Sequence, residues 1–245
     1  MIVFIVPIKS AKVASSWDTT SRLFEQTLRS ICGQTCDQFR VIVVCNEKPI
    51  IQFDSPFVEY IQVNLPIPSN KTSEKENDKA KKLMIGAEFG KKFNPSYLMV
   101  VDADDFISNK IAAFVSTKSE QTGYFLDRGY IHESGSSSLY YLRKNFGQYC
   151  GTSIIIKPNL FDLAFKNGTY YEHKCSTLTA HNIFLEKLPF CGAIYNRCHG
   201  ENLIAVREFS QSLRPKGDYF AYIKHLLRFR PITTRIKQEF SFCRE

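Results

Sequence analysis

Residues 97–105 read YLMVVDADD, and this stretch decides the fold. A largely apolar run of strand length ends abruptly in three carboxylates, Asp102, Asp104 and Asp105. Continuous apolar runs of this kind are typical of parallel strands that are buried on both faces of an α/β sheet. Open α/β sheets bind their ligands at the carboxyl ends of such strands. The stretch therefore predicts a parallel sheet with an acidic ligand site at its edge.

The segments before this stretch predict an alternation of strands and helices. Apolar runs predict strands over 2–8, 39–45 and 58–65, and apolar residues spaced by three and four predict helices over 19–31 and 78–92. Ser21 is a candidate start signal and Gly33 a stop signal for the first helix, and the polar residues 69–78 predict a loop. This order predicts an α/β fold with a mainly parallel central sheet flanked by helices.

After Asp105 the pattern becomes less regular. We expect a hairpin around residues 134–138 and a strand over 154–156, with helices over 110–119, after Pro158 and over 177–185. The domain prediction is a single domain over 1–212, with a nucleotide-binding half (1–105) and a smaller acceptor-side half (106–212). Residues 213–245 are predicted to form a basic C-terminal helical extension.

Composition limits the possible function classes. The chain has 245 residues, of which 44% are hydrophobic and 13% aromatic, which excludes disorder over most of its length. A net charge of +8 favours anionic partners such as nucleotides, nucleic acid or an acidic membrane surface. We read the apolar start MIVFIVPIK as a strand and not as a signal peptide, and no apolar run is long enough to span a bilayer. Eight Cys without a C-x-x-C pair indicate reduced thiols in a cytoplasmic protein.

The clustered carboxylates have two interpretations. Carboxylates at one sheet edge repel each other and favour a divalent cation, and oxygen ligands suit Mg²⁺ or Mn²⁺. The alternative is an acidic turn that closes a strand, because Asp is a common turn residue. The position on the fourth strand of an α/β run favours the metal site.

Taken together, these features resemble the GT-A fold of nucleotide-sugar glycosyltransferases, especially the family 2 type, over residues 2–205. The resemblance rests on several short motifs in a shared order: Val6-Pro7, Val44-Cys45-Asn46-Glu47, Asp78-Lys79-x-x-Lys82, Asp102-Ala103-Asp104-Asp105, Gly151-Thr152-Ser153 and His199-Gly200-Glu201-Asn202. It implies transfer of a sugar from a nucleotide diphosphate, such as UDP, to a hydroxyl acceptor, by a metal-dependent and inverting reaction.

The resemblance also implies a nucleotide site. Pro7, Asn46 and Glu47 would line the nucleobase pocket, Asp78 would contact the nucleoside, and Lys82 would approach phosphate. The alternatives are an ordinary exit from a strand for Asn46 and Glu47, and a surface ion pair at i, i+4 for Asp78 and Lys82.

For the metal, Mn²⁺ or Mg²⁺, the resemblance implies that Asp104 is the direct ligand. Asp102 would contact the ribose or metal-bound water, and Ala103 would lie beside it in the nucleotide-sugar site. His199 would reach back to the metal or to the diphosphate. The alternative for His199 is a histidine of a surface loop.

The catalytic base is harder to place. Related enzymes supply it from a Glu-Asp pair at the start of a late helix, and this chain has no such pair there. His181 and then Glu172 are the candidates for the group that takes the proton of the acceptor hydroxyl. A third alternative is that neither acts as the base and that His181 is structural or binds phosphate.

Three function classes follow. The first is a glycosyltransferase of polysaccharide biosynthesis whose acceptor is a glycan or a lipid-linked glycan. The second is a sugar-phosphate nucleotidyltransferase, which would normally have a glycine-rich loop after the first strand. The third is a basic nucleic-acid-binding protein, but no nucleic-acid motif is present, so no nucleic-acid partner is expected.

The C-terminal region adds a question of location. Apolar residues of 219–227 recur at helical spacing before Pro231, beside Lys224, Arg228 and Arg230. One interpretation is a helix docked on the domain. The other is peripheral contact with an anionic membrane, which would place a cytoplasmic enzyme on the inner membrane face.

Overall fold

The computed structural model describes residues 1–118, 120–166, 169–170, 176–201 and 219–242. The strands are β1 (Ile2–Pro7), β2 (Phe39–Cys45), β3 (Val58–Gln62), β4 (Tyr97–Val100), β5 (Phe106–Ile107), β6 (Gly123–Phe125), β7 (Gly129–Glu133), β8 (Ser138–Leu142), β9 (Ile154–Ile156), β10 (Phe165–Lys166), β11 (Thr169–Tyr170), β12 (Glu186–Lys187), β13 (Ala193–Arg197) and β14 (Phe229–Pro231). The α-helices are α1 (Trp17–Cys32), α2 (Thr72–Gly90), α3 (Ile111–Ser116), α4 (Ser176–Ala180), α5 (Tyr219–Leu226) and α6 (Thr234–Phe240). Short 3₁₀ helices cover Lys91–Phe93, Phe146–Gln148 and Pro158–Ala164.

The central sheet has seven strands in the order β12-β6-β9-β4-β1-β2-β3. β1 pairs in parallel with both β2 and β4, β2 pairs in parallel with β3, and β12 with β6. Only β9 runs against its two neighbours in this sheet. The carboxyl ends of β1, β2 and β4 therefore meet at one edge, where the acidic residues after β4 lie.

The central strands are buried on both faces because successive side chains alternate between two cores. On one face, residues such as Phe4, Val41 and Met99 pack under α1 and α3. On the other face, Val3 and Ile42 are among the residues that pack under α2. This explains why the strands read as continuous apolar runs, and it confirms the α/β fold with a mainly parallel sheet flanked by helices.

A second sheet has five strands in the order β14-β8-β7-β13-β5. The predicted hairpin is present as β7 and β8, and β13 pairs in parallel with β7 and antiparallel with β5. Because β5 begins directly after Asp105, the acidic turn joins the two sheets. The pairing with β13 brings the residues that follow β13 to this turn.

Two helix starts differ from the sequence prediction. α1 begins earlier than expected, because Ser16 and not Ser21 is its N-cap and accepts a hydrogen bond from the Thr19 N–H. α2 begins at Thr72, so most of the polar stretch predicted as a loop is helical. Its first two turns are largely exposed and lack an apolar face, which left them without the periodicity that predicts a helix.

The C-terminal region is less helical than predicted. α5 is followed by β14, which pairs with β8, and then by α6. Phe240 and Phe242 at the end of this segment are buried against Phe106 and Leu139. Residues 229–242 therefore pack on the second sheet and its core, and β14 is the part of this segment that departs from the predicted helical extension. Among the described residues, no helix is both long and apolar enough to cross a bilayer.

Candidate functional site

The acidic turn lies against a histidine from the far end of the chain. His199 Nε2 is 3.0 Å from Asp104 Oδ2, and the side chains are 1% and 24% exposed. β13 ends at Arg197, two residues before this histidine, and pairs antiparallel with the strand that follows the acidic turn. The fold thus places together two of the three residues that were expected at the metal.

The loop that carries His199 has an unusual backbone. Cys198 and Gly200, on either side of it, both have left-handed φ angles of 64° and 85°. A non-glycine residue in this region is uncommon and persists only where the surrounding structure holds it. The Glu201 N–H donates to His199 Nδ1 at 3.3 Å, so the neutral ring carries its proton on Nε2. In this form His199 donates a hydrogen bond to the Asp104 carboxylate.

Glu201 connects the same loop to the segment between β1 and α1. Its carboxylate accepts hydrogen bonds from Lys9 Nζ at 2.6 Å and from the backbone N–H groups of Ser15 and Ser16. Burial raises the pKa of Glu201, but Lys9 and the two N–H groups outweigh burial and hold it below the ordinary value. Glu201 therefore fixes the chain at the amino end of α1.

Asp102 is held from two sides. Its Oδ1 accepts a hydrogen bond from Lys79 Nζ of α2 at 2.5 Å, and its backbone N–H donates to Thr152 Oγ1 at 2.9 Å. Burial lowers the pKa of Lys79, but the carboxylates of the acidic turn, Asp102 foremost, outweigh burial and leave it raised. The site thus pairs each partly exposed carboxylate with a nitrogen donor.

Asp105 is fully buried, unlike the other two aspartates. Its carboxylate accepts hydrogen bonds from Thr152 Oγ1 at 2.6 Å, Cys150 Sγ at 3.1 Å and the Asn196 N–H at 3.1 Å. Burial, and then the charges of Asp104 and Asp102, raise the pKa of Asp105 well above its ordinary value. Through these contacts Asp105 connects the end of β4 with the segment before β9 and with β13, so its role is structural.

Asp78 and Lys82 form a buried ion pair. Lys82 Nζ donates to Asp78 Oδ2 at 2.7 Å and to the Ile8 carbonyl at 2.9 Å, and its side chain is 1% exposed. Lys82 is thus enclosed at the end of β1, and the expected approach to phosphate does not fit this position. Asp78 Oδ1 is buried and has no hydrogen-bond partner among the described residues.

The other nucleotide-site candidates lie at the ends of β1 and β2. Asn46 donates to the Leu65 carbonyl at 3.1 Å, and its buried Oδ1 has no partner in the described part of the chain. Glu47 accepts from Ser10 Oγ and the Ala11 N–H, both at 3.0 Å, so it holds the loop after β1.

Two further nucleotide-site candidates make apolar contacts. Pro7 is buried at the end of β1, opposite Val44 of β2. Ala103 packs partly buried against the α1-side core.

Of the two candidate bases the structure describes only His181, and its described contacts do not include the acidic turn. His181 follows α4 and is exposed, and its backbone N–H donates to the Leu178 carbonyl. Glu172 lies outside the described residues. The role of either residue as the base remains a prediction.

Three residues of the site were not assigned a role from the sequence: Lys79, Thr152 and Glu201. Each lies within a short motif that carried the family resemblance. Lys79 is the only one of the three with a further signal, because it lies three residues before Lys82 and so on the same side of the helix. For Thr152 and Glu201, only the tertiary contacts show which groups they bind.

The donor set can be compared with the needs of a divalent cation. Over the residues that the structure describes, no group of three or more His, Cys, Asp or Glu side chains is arranged to hold a metal ion. The partly exposed carboxylates of Asp102 and Asp104 are nevertheless hard oxygen donors. Mg²⁺ usually binds through one or two carboxylates together with substrate phosphates, so these two residues fit such an ion.

No protein-family model and no curated protein matches the chain. Among solved structures, it is similar to S. aureus TarS 1-349, with 13% identity over 80% of this chain and 60% of that chain, at a TM-score of 0.48. The same protein in complex with UDP gives 14% identity, 97% and 68% coverage and a TM-score of 0.48. A nucleotidyl transferase from Methanothermobacter thermautotroptrophicus gives 10% identity, 93% and 96% coverage and a TM-score of 0.42. The chain therefore spans 60% of the first of these structures, and similarities at this level assign no function.

Proposed function

We propose that this chain is a glycosyltransferase that moves a sugar from a nucleotide-diphosphate-sugar donor to a hydroxyl of a glycan or lipid-linked glycan. The observation that carries the proposal is the contact between Asp104 and His199 at the carboxyl end of β4. A carboxylate that faces outward beside a ring N–H offers both a cation ligand and a hydrogen-bond donor for a diphosphate. Ligands of open α/β sheets bind at this edge.

The proposed nucleoside pocket lies at the neighbouring strand ends. Asn46 Oδ1 and Asp78 Oδ1 are buried acceptors without a partner in the described part of the chain. A buried acceptor that stays unpaired costs about 1–3 kcal/mol, so both positions favour a ligand that brings N–H or O–H donors. The imide N–H of uracil and the hydroxyls of ribose are such donors. This supports UDP as the nucleotide of the donor.

We propose Mn²⁺ or Mg²⁺ as the cofactor, with Asp104 as the direct ligand and Asp102 contributing through ribose or metal-bound water. The cation would supply Lewis-acid neutralisation of the leaving diphosphate. With its proton on Nε2, His199 is better suited to donate to a diphosphate oxygen than to bind the cation. Asp105 stays in the interior and orients the turn.

An inverting transfer also needs a base for the acceptor hydroxyl. His181 is proposed for this role because its side chain is exposed and histidine is the side chain that most often acts as a general base. Glu172 is the second candidate. The base would remove the proton while the hydroxyl oxygen attacks the anomeric carbon and the diphosphate leaves.

The test is a UDP-sugar assay with and without Mn²⁺, together with thermal stabilisation by UDP. We expect metal-dependent release of UDP, and UDP binding at least tenfold weaker in Asp102→Ala, or about 1.4 kcal/mol. Asp162→Ala is the matched control, because Asp162 is an exposed aspartate of a 3₁₀ helix. Release of pyrophosphate from a nucleoside triphosphate and a sugar phosphate would instead support a nucleotidyltransferase.

We further propose that α5 contacts an anionic membrane. Tyr219, Phe220 and Leu227 are 72%, 74% and 64% exposed, and Lys224 lies on the same helix. Exposed apolar side chains beside basic ones favour the surface of an anionic bilayer, where each basic residue adds about 1 kcal/mol. Such a position would bring the enzyme to a lipid-linked acceptor.

Co-sedimentation with vesicles tests this contact. We expect binding to phosphatidylglycerol vesicles at low salt, weak binding to phosphatidylcholine vesicles, and loss of binding in a Tyr219→Ser, Phe220→Ser variant. Ile50→Ser is the control, because Ile50 is 80% exposed and lies outside α5. Equal binding by the variant and the wild type would contradict the proposal.

A further inference from the structure

Lys79 occupies the position of a counter-ion for the acidic turn. Its Nζ lies 2.5 Å from Asp102 Oδ1, and the two side chains are 30% and 23% exposed. The neighbouring Lys82 is committed to Asp78 in the interior, so Lys79 is the lysine of this motif that reaches the site. The pair lies at the rim, where a ligand can approach both partners.

The contact is built into the fold. A Cβ atom at Gly151 would lie 2.8 Å from Asp102 Oδ2 and 3.4 Å from Lys79 Nζ, so the pair fits closely against the backbone at this glycine. Thr152 holds the Asp102 backbone at the same time. Asp102 is therefore fixed, whereas Lys79 is a long side chain that can exchange one partner for another.

Lys79 and a divalent cation have the same electrostatic function towards Asp102. A cation that draws on this carboxylate competes with Lys79, because both neutralise the same charge. A nucleoside diphosphate changes the balance, since its oxygens give the Lys79 ammonium another anionic partner. The two ligands then favour each other: the diphosphate draws Lys79 away from Asp102, and a cation bound to Asp104 can then neutralise the Asp102 carboxylate through its bound water.

On the basis of the proposed function, we propose that Lys79 is an exchangeable counter-ion that couples binding of the cation to binding of the nucleoside diphosphate. Without nucleotide it neutralises Asp102 and keeps the affinity for the cation low. With nucleotide it moves to the diphosphate and becomes a positioning residue for the donor. By linkage, the cation must strengthen nucleotide binding by the same factor as nucleotide strengthens cation binding.

The test measures Mn²⁺ binding to the full chain by paramagnetic resonance, with and without UDP. We expect weak Mn²⁺ binding alone and at least tenfold tighter binding with UDP. Lys79→Met should bind Mn²⁺ at least tenfold more tightly than the wild type without UDP, and UDP should then add little. Lys79→Arg, which keeps the charge, should retain the coupling. Lys81→Met is the matched control, an exposed lysine of the same helix.

A merely structural role of Lys79 would lower or leave unchanged the Mn²⁺ affinity, and either result overturns the inference. Absence of Mn²⁺ binding in both the wild type and Lys79→Met also overturns it. If Lys79→Met does not fold by circular dichroism, Lys79→Gln replaces it in the same comparison. If the wild type binds UDP with Mn²⁺ and Lys79→Met shows the same coupling between the two ligands, only this inference is overturned. Failure to bind UDP under any condition overturns the proposed function instead.

Discussion

Two adjacent aspartates of the acidic turn have opposite environments. Asp104 keeps a quarter of its side chain exposed beside His199, whereas Asp105 accepts three hydrogen bonds in the interior. A substitution at the first position removes the proposed cation ligand, and one at the second leaves buried donors without an acceptor. The two variants should therefore separate activity from stability.

Asp104→Ala should lose transfer activity and keep its fold. The one contact described for its carboxylate is with His199, at the rim of the site, so the substitution removes little packing. We expect a decrease in kcat/KM of about 10²–10³, as is typical when one preorganised electrostatic group is removed. Steady-state kinetics and thermal unfolding of the same preparation check this. Retention of most of the activity in excess Mn²⁺ would contradict the proposed metal site.

Asp105→Ala should unfold more easily, whatever its activity. Thr152, Cys150 and the Asn196 N–H would lose their common acceptor in a buried place, which costs about 3 kcal/mol or more in the free energy of unfolding. Urea denaturation measures this, with Asp104→Ala as the matched control. Equal stability of the two variants would show that the hydrogen bonds of Asp105 contribute little.

His181→Ala should slow the chemical step more than it weakens donor binding. Loss of a general base typically lowers the rate by about 10²–10⁴. The side chain is exposed, so no change in folding is expected. The measurements are kcat and the Kd for UDP. An unchanged kcat would remove His181 as the base and leave Glu172 as the candidate.

Residue roles could be predicted from the sequence only in part. The DxDD motif indicated where the candidate site would lie, but three identical side chains do not reveal which one is buried. Likewise, seven lysines lie between residues 71 and 92, and a small rotation of α2 decides which of them faces the site. Lys82 was assigned to phosphate and is enclosed, whereas Lys79 reaches Asp102. Such choices depend on tertiary packing and not on local pattern.

At the scale of elements, one carboxylate connects the loop after β13 with the amino end of α1. Glu201 accepts from Lys9 and from two backbone N–H groups, one of them that of the N-cap Ser16. Negative charge at a helix amino end is favourable because the helix dipole is positive there. The same loop carries His199, so the position of this histidine depends on the Glu201 contacts.

Glu201→Gln should change how stability depends on pH. The folded-state pKa of Glu201 is lowered from the ordinary 4.5, so its stabilising contribution is present above this value and is lost as pH falls through the folded pKa. We expect the variant to be about 2 kcal/mol less stable at neutral pH and to lose less stability on acidification. Urea denaturation at pH values below and above 4.5 measures how the free energy of unfolding depends on pH. Parallel pH profiles of variant and wild type would contradict the assignment.

The elements themselves were predictable to different degrees. β1, β2 and β4 and the body of α1 follow from local patterns, since each has a continuous apolar run or a clear helical period. The pairing of β5 with β13 could not be predicted, and neither could the strand β14. The strands of the second sheet are short and carry little sequence pattern of their own. Their pairing is decided by partners about 90 residues away in the chain.

At the scale of the whole molecule, the C-terminal segment completes the core. β14 adds a strand to the second sheet, Phe240 and Phe242 are 1% and 2% exposed, and Glu239 accepts from both Ser108 and Lys110. These contacts join the end of the described chain to the strand that follows the acidic turn. Stability and site geometry therefore depend on the same segment.

Truncation after Gly217 should destabilise the protein, and Phe240→Ala should reproduce part of the effect. Removal of a buried phenylalanine side chain costs about 3–5 kcal/mol. Thermal unfolding and solubility check both variants, and Phe220→Ala is the matched control because Phe220 is 74% exposed. A truncated chain as stable as the wild type would show that the C-terminal segment is dispensable for the core.

The pairing order of the second sheet also has a consequence for synthesis of the chain. β1, β2 and β3 lie within the first 62 residues, so they can associate while the rest is still being translated. β13 and His199 are synthesised about 90 residues after the acidic turn, and β14, which completes the second sheet, is synthesised later still. Pairings between such distant segments form slowly. A nascent chain that ends before β13 would therefore contain the acidic turn without its partners, and the candidate site could assemble only after β14 has been synthesised.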